Sequence, residues 1–176
     1  NQLTKIAKNS SAGDTLEQEY IYPNDSHQLV TIWNIYSAKL QEISRNSGQE
    51  IKRIRYNYPT FTGRQPLPSP SSVDYSGTGA SGFTREFDYL YDQSNGNLIQ
   101  YTGRDGVPIS YLWGYKGAYP VLQAVGDTYS NIASRLTQTE LSNIKNGIYT
   151  NSQLLDILNN KIRAHYLSQA QLVGIS

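Results

Sequence analysis

The sequence predicts an α+β fold that is mainly β, with antiparallel β-hairpins arranged as a meander sheet and a helical segment in the C-terminal third. Up to residue 126, short runs of β-branched and aromatic residues alternate with turns that contain Gly, Asn or Asp. After Asp127 the apolar residues recur with a helical period. Tyr accounts for 15 of the 176 residues, and its ring covers apolar area while its hydroxyl stays hydrated, which suits a sheet with one wet face.

These patterns divide the chain into four segments. They are an N-terminal β-hairpin region at 1–58, a Pro/Ser/Gly-rich loop or linker at 59–82, a second β region at 83–126, and a helical segment at 127–176 that could end in a strand at its "QLVGIS" sequence.

The N-terminal region is predicted to hold several strands. Residues 1–16 are polar and indicate a weakly ordered lead-in with at most one short strand. Tyr20 and Tyr22 lie on one face of a strand, and 28–36 (QLVTIWNIY) is rich in β-branched and aromatic residues, which predicts another. Two further strands flank the loop Arg45–Gln49, in which Gly supplies a positive φ.

The segment 59–82 is dense in Pro, Ser and Gly. Because Pro cannot donate to a sheet ladder and breaks a helix interior, this composition argues against a central strand and against a helix. We expect a long loop that separates the two β regions.

Four strands are predicted in the second β region. Turn signals separate them at Asn95-Gly96, Asp105-Gly106 and Lys116-Gly117. The strands are predicted at 83–91, 98–102, 107–115 and 120–124.

Three helices with capping signals at their N-termini are predicted in the last segment. The first begins at Asp127 or Thr128 and extends to about Arg135, and the second ends near Asn146-Gly147. Capping boxes begin the second and third helices, namely Thr137 with Glu140 and Thr150 with Gln153.

The third helix is predicted at about 152–167 and carries one apolar stripe. Such a stripe is expected to pack on its own sheet, although it could also bind a partner. The stripe consists of Leu154, Leu155, Leu158, Ile162 and Tyr166.

Two segments share a spacing that suggests a repeated supersecondary unit. In YIYPNDSHQLVTI (20–32) and YLYDQSNGNLIQY (89–101), Leu and a second aliphatic residue follow a Tyr-x-Tyr pair at the same distance. In the second copy Asp92 can start a turn and Gly96 can adopt a conformation closed to residues with a Cβ. This pattern predicts a β-hairpin that needs no ligand.

The second segment resembles the YD repeat of the RHS family of bacterial secreted and surface proteins. In the YD repeat, Tyr-Asp is followed by Gly, then Arg or Asn, then an aliphatic residue. In addition, 103–125 is similar to the segment that follows such repeats in large RHS-like proteins. The residues that carry the resemblance are Tyr89, Tyr91, Asp92, Gly96, Asn97 and Leu98, followed by Leu112, Trp113, Gly114, Tyr115, Tyr119 and Pro120.

The resemblance implies a fragment of a large RHS-like protein that is extracellular or associated with the outer membrane at the bacterial cell surface. Repeats of this family build extended or shell-like β structures that display or encapsulate other segments. The implied role of this chain is therefore that of a scaffold.

The amino-acid composition argues against several classes of function. Lys and Arg number 15 against 14 Asp and Glu, so nothing in the composition suggests a basic footprint for nucleic acid, and no nucleic-acid partner is expected. The absence of Cys excludes disulfides, Cys-ligated metals and a thiol nucleophile. No apolar run approaches the length of a membrane-spanning helix.

Because the chain does not begin with Met, we expect it to be an excised or processed piece of a longer protein.

Trp113, Tyr115 and Tyr119 are the candidate ligand-binding residues, because exposed aromatic rings can stack on sugars. Cross-strand packing explains the same rings without a ligand. The two histidines, His27 and His165, could act as a catalytic pair only if the fold joins them. No metal-binding motif occurs, so no metal site and no cofactor are expected.

The leading hypothesis is a non-enzymatic structural or interaction module that pairs its edge strands with neighbouring repeats of the full-length chain, or binds another protein or a glycan. A carbohydrate-binding module that uses Trp113 and the tyrosines is the alternative. A glycoside hydrolase is a further alternative that would need two close carboxylates. The nearest candidates are Glu17 with Glu19, Glu86 with Asp88, and Asp92 with Asp105.

Overall fold

A computed structural model describes residues 4–9, 13–59 and 69–172, with side chains described as far as residue 168. Within these residues nine strands follow one another in an antiparallel meander whose strand order equals the chain order. The strands are β1 (Lys5–Asn9), β2 (Thr15–Ile21), β3 (Gln41–Asn46), β4 (Gln49–Asn57), β5 (Ser72–Gly77), β6 (Thr84–Tyr91), β7 (Leu98–Gly103), β8 (Pro108–Gly114) and β9 (Tyr119–Val125).

Most of the helices lie in the C-terminal part, so the predicted fold class is confirmed. One helix, α1, interrupts the N-terminal strands, and a 3₁₀ turn (Tyr115–Gly117) joins β8 to β9. The helices are α1 (Gln28–Trp33), α2 (Tyr129–Ser134), α3 (Gln138–Asn146), α4 (Asn151–Ile157) and α5 (Ala164–Leu172), with a π-helical stretch (Leu158–Arg163) joining α4 to α5.

The chain divides into two compact units, Asn1–Tyr89 and Leu90–Ser176. In the first unit, β1 is the predicted short strand of the lead-in, and the hairpin at Arg45–Gln49 is confirmed. Its two-residue turn has φ of 47° at Ser47 and 83° at Gly48. Positive φ at both positions is typical of the type I′ turn, which matches the twist of the flanking strands.

The strand predicted at 28–36 is wrong, because this segment forms helix α1. His27 caps the helix, and its Nδ1 accepts a hydrogen bond from the Leu29 backbone N–H at 3.2 Å. Asn34 ends the helix in the left-handed region, with φ of 57°. Leu29 and Val30, adjacent in sequence, are both buried, which suits a helix better than a strand with one wet face. The caps and this burial outweigh the β propensity of the segment.

The predicted repeat is also wrong as a structural unit. Leu98 and Ile99 begin the return strand β7, whereas Leu29 and Val30 of the first copy lie in α1. The shared spacing therefore encodes two different local structures.

The prediction of one unbroken loop at 59–82 is wrong in its second half. Strand β5 pairs with β4 on one side and β6 on the other, and residues 60–68 lie outside the described residues. The strand is stabilised by Asp74, whose buried carboxylate accepts hydrogen bonds from Arg55 at 2.7 Å and from Arg85 at 2.6 Å. Burial raises the pKa of Asp74, but the bonds from Arg55, Asn57 and Arg85 outweigh it and lower that pKa.

The strands, turns and helix starts predicted for the second unit are confirmed to within a few residues. Both capping boxes form, and Thr128 caps α2. The third helix is longer than predicted, because the π-helical stretch and α5 carry it to Leu172. Gln171 and Leu172 are therefore helical, and the rest of the possible C-terminal strand lies outside the described residues.

The helices of the second unit cover one face of β8 and β9. The predicted packing of the third helix on its own sheet is confirmed for Ile162, which is 1% exposed, whereas Leu155 of the same stripe is 59% exposed. The buried members of this core are Leu112, Ala124, Ile132, Leu136, Ile144 and Ile162.

Candidate functional site

The hairpin between β6 and β7 is closed by Asp92. Its Oδ1 accepts hydrogen bonds from the Ser94 backbone N–H at 2.9 Å and from the Ser94 hydroxyl at 2.6 Å. Gly96 has φ of 78°, and its N–H donates to the Asp92 carbonyl at 2.7 Å. The predicted two-stranded bend is thus confirmed, with the Asp side chain forming an Asx-type turn.

Asp92 also forms an ion pair with helix α3. Its Oδ2 lies 2.5 Å from Nζ of Lys145 in α3. Burial raises the pKa of Asp92, but the hydrogen bonds from Lys145 and Ser94 outweigh it and hold that pKa below its usual value. The charged carboxylate therefore anchors α3 to the hairpin.

A polar groove of about 590 Å³ opens beside this ion pair. Trp113 is its aromatic side chain, and the indole Nε1–H donates to the Leu98 carbonyl at 2.7 Å, which fixes the ring. The groove is lined by Ser94, Asn95, Trp113, Lys116, Gly117, Gln138, Leu141, Ser142, Lys145 and Asn146.

The 3₁₀ turn shapes one side of the polar groove. Asn97 Nδ2 donates to the Gly117 carbonyl at 2.8 Å. Gly117 has φ of 82°, a conformation that favours glycine, and a Cβ there would lie 2.7 Å from Asn95 Nδ2, so that side chain would have to move. The preceding Lys116 is exposed, and it forms no ion pair within the part of the chain that the structure describes.

The three predicted aromatic residues do not form one surface in this groove. Trp113 lines the groove, whereas Tyr115 and Tyr119 are not among its lining residues. These two tyrosines pack against each other edge to face at 6.2 Å between ring centroids. The Tyr115 hydroxyl donates to Asn151 Oδ1 at 2.6 Å, and Tyr119 is 67% exposed.

Sequence reasoning missed the polar residues that α3 brings to the groove. Gln138, Lys145 and Asn146 are 25 to 33 positions from Trp113 in the sequence and reach it because α3 packs on β8. The Thr137–Glu140 capping box predicted the start of that helix, but no local signal indicates the strand on which it packs.

A second surface lies along β9, the edge strand of this unit. Within the described ranges β9 pairs with β8 alone. The Gly126 N–H donates to the Pro108 carbonyl at 2.8 Å, so the alternation of an antiparallel ladder turns the N–H groups of Gln123 and Val125 away from β8. These outward groups are available to another strand.

An apolar groove of about 480 Å³ runs between β9 and the last helix. Edge strands are commonly protected by charged residues, but the sequence of β9, YPVLQAV, contains none, and Val125 is 66% exposed. The apolar groove is lined by Leu122, Gln123, Ala124, Val125, Leu155, Leu158, Asn159, Ile162, Arg163 and Tyr166.

The acidic residues proposed as hydrolytic pairs are engaged in structural contacts. Glu17 pairs with Lys5 at 3.1 Å, and Glu19 pairs with Arg45 at 2.6 Å. Asp88 forms an ion pair with Arg85, its neighbour on β6.

The third pair is separated by a whole strand. Asp92 starts the turn before β7, and Asp105 lies in the turn after it, where its Oδ1 accepts from the Val107 N–H at 3.1 Å. A six-residue strand spans roughly 20 Å, more than the roughly 5–10 Å between the carboxylates of a glycosidase. These two carboxylates are too far apart for that chemistry.

The two histidines have separate local roles. His27 caps α1 through Nδ1, and the His165 ring packs edge to face on Tyr166 with centroids 5.8 Å apart. Among the residues that the structure describes, no group of three or more His, Asp or Glu side chains could hold a metal ion. In the same part of the chain no helix is both long and apolar enough to cross a membrane.

Comparison with protein families, with curated proteins and with solved structures found no match to this chain.

Proposed function

We propose that this chain is a non-enzymatic structural or interaction module of a bacterial surface or secreted repeat protein, of the class that its YD-like hairpin resembles. It works by accepting a strand from a neighbouring repeat, or from another protein, at the edge of β9. The observation that carries the proposal is the uncharged β9 edge with outward N–H groups at Gln123 and Val125.

The physical basis is strand addition. An extended segment gains main-chain hydrogen bonds along a free sheet edge, and pockets beside that edge can accept its alternate side chains. The apolar groove next to β9 offers such a pocket. No acid–base pair or metal is needed for this activity, and an extracellular location at the cell surface accords with the resemblance.

Strand addition predicts a change in amide exchange along β9. With the peptide acetyl-Thr-Val-Thr-Val-Thr-Val-amide, we expect the Gln123 and Val125 amides to gain at least about tenfold protection, because each becomes hydrogen-bonded. Hydrogen exchange measured by NMR checks this. A peptide N-methylated at alternate residues is the control and should give no protection. Unchanged exchange at millimolar peptide would refute the edge-pairing proposal.

A second candidate function, glycan binding, is favoured by the polar groove. It combines one fixed indole ring with amide, hydroxyl and ammonium groups, a set that can stack on a sugar and hydrogen-bond its hydroxyls. In this arrangement Trp113 is the binding aromatic residue, and the exposed pair Tyr115 and Tyr119 takes no part.

Glycan binding predicts that amide groups of α3 matter more than the exposed tyrosine. The double variant Gln138→Ala/Asn146→Ala should weaken binding to a glycan found on an array by about 30-fold, since each of the two lost hydrogen bonds is worth about 1 kcal/mol. Tyr119→Ala is the matched control and should leave affinity unchanged. A glycan array without hits, or an equal loss in Tyr119→Ala, would count against this groove as the site.

A further inference from the structure

The apolar groove beside β9 contains one charged side chain, and that side chain has no counter-charge among the residues that the structure describes. Four basic residues occur in the helical part of the second unit, and three of them form ion pairs. Arg135 pairs with Asp127 at 2.6 Å, Lys145 with Asp92 at 2.5 Å, and Lys161 with Glu140 at 2.7 Å. The fourth, Arg163, lines the groove, is exposed, and has no ion-pair partner within the described part of the chain.

The backbone that presents Arg163 is unusual. It belongs to the π-helical stretch Leu158–Arg163, and four of the six residues of this stretch line the groove. They are Leu158, Asn159, Ile162 and Arg163. Short π-helical stretches inside α-helices are frequent at functional sites, and this one coincides with the groove wall that faces β9.

We propose that this groove selects which strand pairs with β9. The selected strand carries apolar side chains on the face that meets Leu155 and Leu158, and a carboxylate on the same face that meets Arg163. This inference rests on the proposed function, because it names the chemistry of the strand that β9 accepts.

Charge complementarity is the reason for the carboxylate. The guanidinium presents a planar set of donors that a carboxylate can accept in bidentate geometry. Beside apolar walls such a pair is less screened than on an open surface, whereas a cation at the same place would be repelled. Strand β1 of a second copy carries Lys5 on one face and Lys8 on the other, so either face would bring a cation to Arg163, and the complementary partner is an acidic strand from another repeat or protein.

Two peptides test this selection on the intact chain. The probe is acetyl-Thr-Leu-Thr-Leu-Thr-Glu-Thr-amide, in which the Leu and Glu side chains share one face, and its control has Lys in place of Glu. Measured by fluorescence polarisation with labelled peptides, the Glu peptide should bind at least about tenfold more tightly than the Lys peptide, since charge-assisted pairs of this kind contribute strongly to discrimination.

Substitutions of Arg163 test whether this residue causes the preference for the Glu peptide. In Arg163→Ala the preference should fall to within about twofold, and in Arg163→Glu it should reverse, as expected for a charge-based preference. Lys116→Ala is the matched control, because it removes another exposed cation of the same unit that forms no ion pair with any described residue, and there the preference should persist.

The outcomes separate the two proposals. Equal binding of both peptides to the unaltered chain, with the Gln123 and Val125 amides protected, would overturn the selection by Arg163 and leave strand pairing in place. No binding of either peptide would overturn the edge-pairing function and the selection with it. A preference that survives in Arg163→Ala would likewise overturn the assignment to this residue.

Discussion

Replacing Asp127 with Ala is expected to lower the free energy of unfolding of the second unit by about 3–5 kcal/mol, since it breaks a buried ion pair from one side. Asp127 is 7% exposed and lies two residues after the end of β9. Its carboxylate accepts hydrogen bonds from Asn131 at 2.9 Å, Arg135 at 2.6 Å and Tyr166 at 2.8 Å. The variant would leave these donors without their acceptor.

The Asp127 contacts join separate elements of the unit. Asn131 lies in α2 and Tyr166 in α5, so one carboxylate ties both helices to the end of β9. Urea unfolding followed by NMR signals of β8 and β9 measures the loss. Asp156→Ala is a suitable control, because this carboxylate belongs to the same unit and is exposed, so its loss should cost about 0.5 kcal/mol or less. A loss below about 1 kcal/mol in Asp127→Ala would contradict the anchoring role.

The Asp127 carboxylate should also make the stability of the second unit depend on pH, with lower stability in acid. Burial raises the pKa of Asp127, but the bonds from Asn131, Tyr166 and Arg135 outweigh it and lower that pKa from 3.8 to about 2. Because folding lowers this pKa, ionisation of Asp127 stabilises the folded state by about 2 kcal/mol at pH values above the unfolded-state pKa. This stability should be present above about pH 4 and be lost as the pH falls towards 2.

Asp127→Asn isolates this acid-dependent part. The variant cannot ionise, so the difference in unfolding free energy between it and the unaltered protein should shrink by about 2 kcal/mol between pH 6 and pH 2. A difference that stays constant over this range would show that the carboxylate is not ionised in the folded state or gains nothing from its partners.

Local hydrogen bonding explains which elements could be predicted from the sequence. The capping boxes at Thr137 and Thr150 close within four residues, and the turns at Gly96 and Gly106 depend on backbone conformation at single positions. Such signals need no knowledge of the tertiary structure. They were sufficient for the hairpins of the second unit and for the starts of its helices.

The failed predictions are those in which averaged composition hid a local pattern. The β-branched run at 28–33 is helical because His27 and Asn34 cap it. Strand β5 is not predicted because Pro, Ser and Gly together make up most of 59–82, whereas Ser72 and Asp74 alternate with the less buried Val73 and Tyr75 as in a strand. The alternation was present in the sequence, but the segment average concealed it.

The two grooves depend on contacts between distant residues, which the sequence alone does not predict. The sequence predicts Trp113 as a binding residue, but four of the polar residues around it come from α3, and Arg163 lines the groove beside β9 from a π-helical stretch that no sequence pattern predicts. Both grooves depend on how helices pack on β8 and β9. That packing is a long-range property, and it decides which exposed side chains become neighbours.

Replacing Leu112 with Ala tests that packing directly. Leu112 is 1% exposed and belongs to the buried cluster that joins β8 and β9 to the helices. Truncating a fully buried Leu removes its transfer free energy and leaves a cavity, so we expect a loss of about 2–5 kcal/mol in the unfolding free energy.

Leu155→Ala is the matched control for Leu112→Ala, because it removes the same atoms from a side chain that is 59% exposed, and it should cost about 0.5 kcal/mol or less.

The two variants also separate stability from recognition. Leu155 lines the apolar groove, so Leu155→Ala should weaken binding of the Leu-containing peptides while the fold stays intact. Leu112→Ala should act through the fold, because a loosened helix layer no longer holds the groove wall against β9. Equal losses of stability in both variants would show that the helices do not pack on the sheet through Leu112.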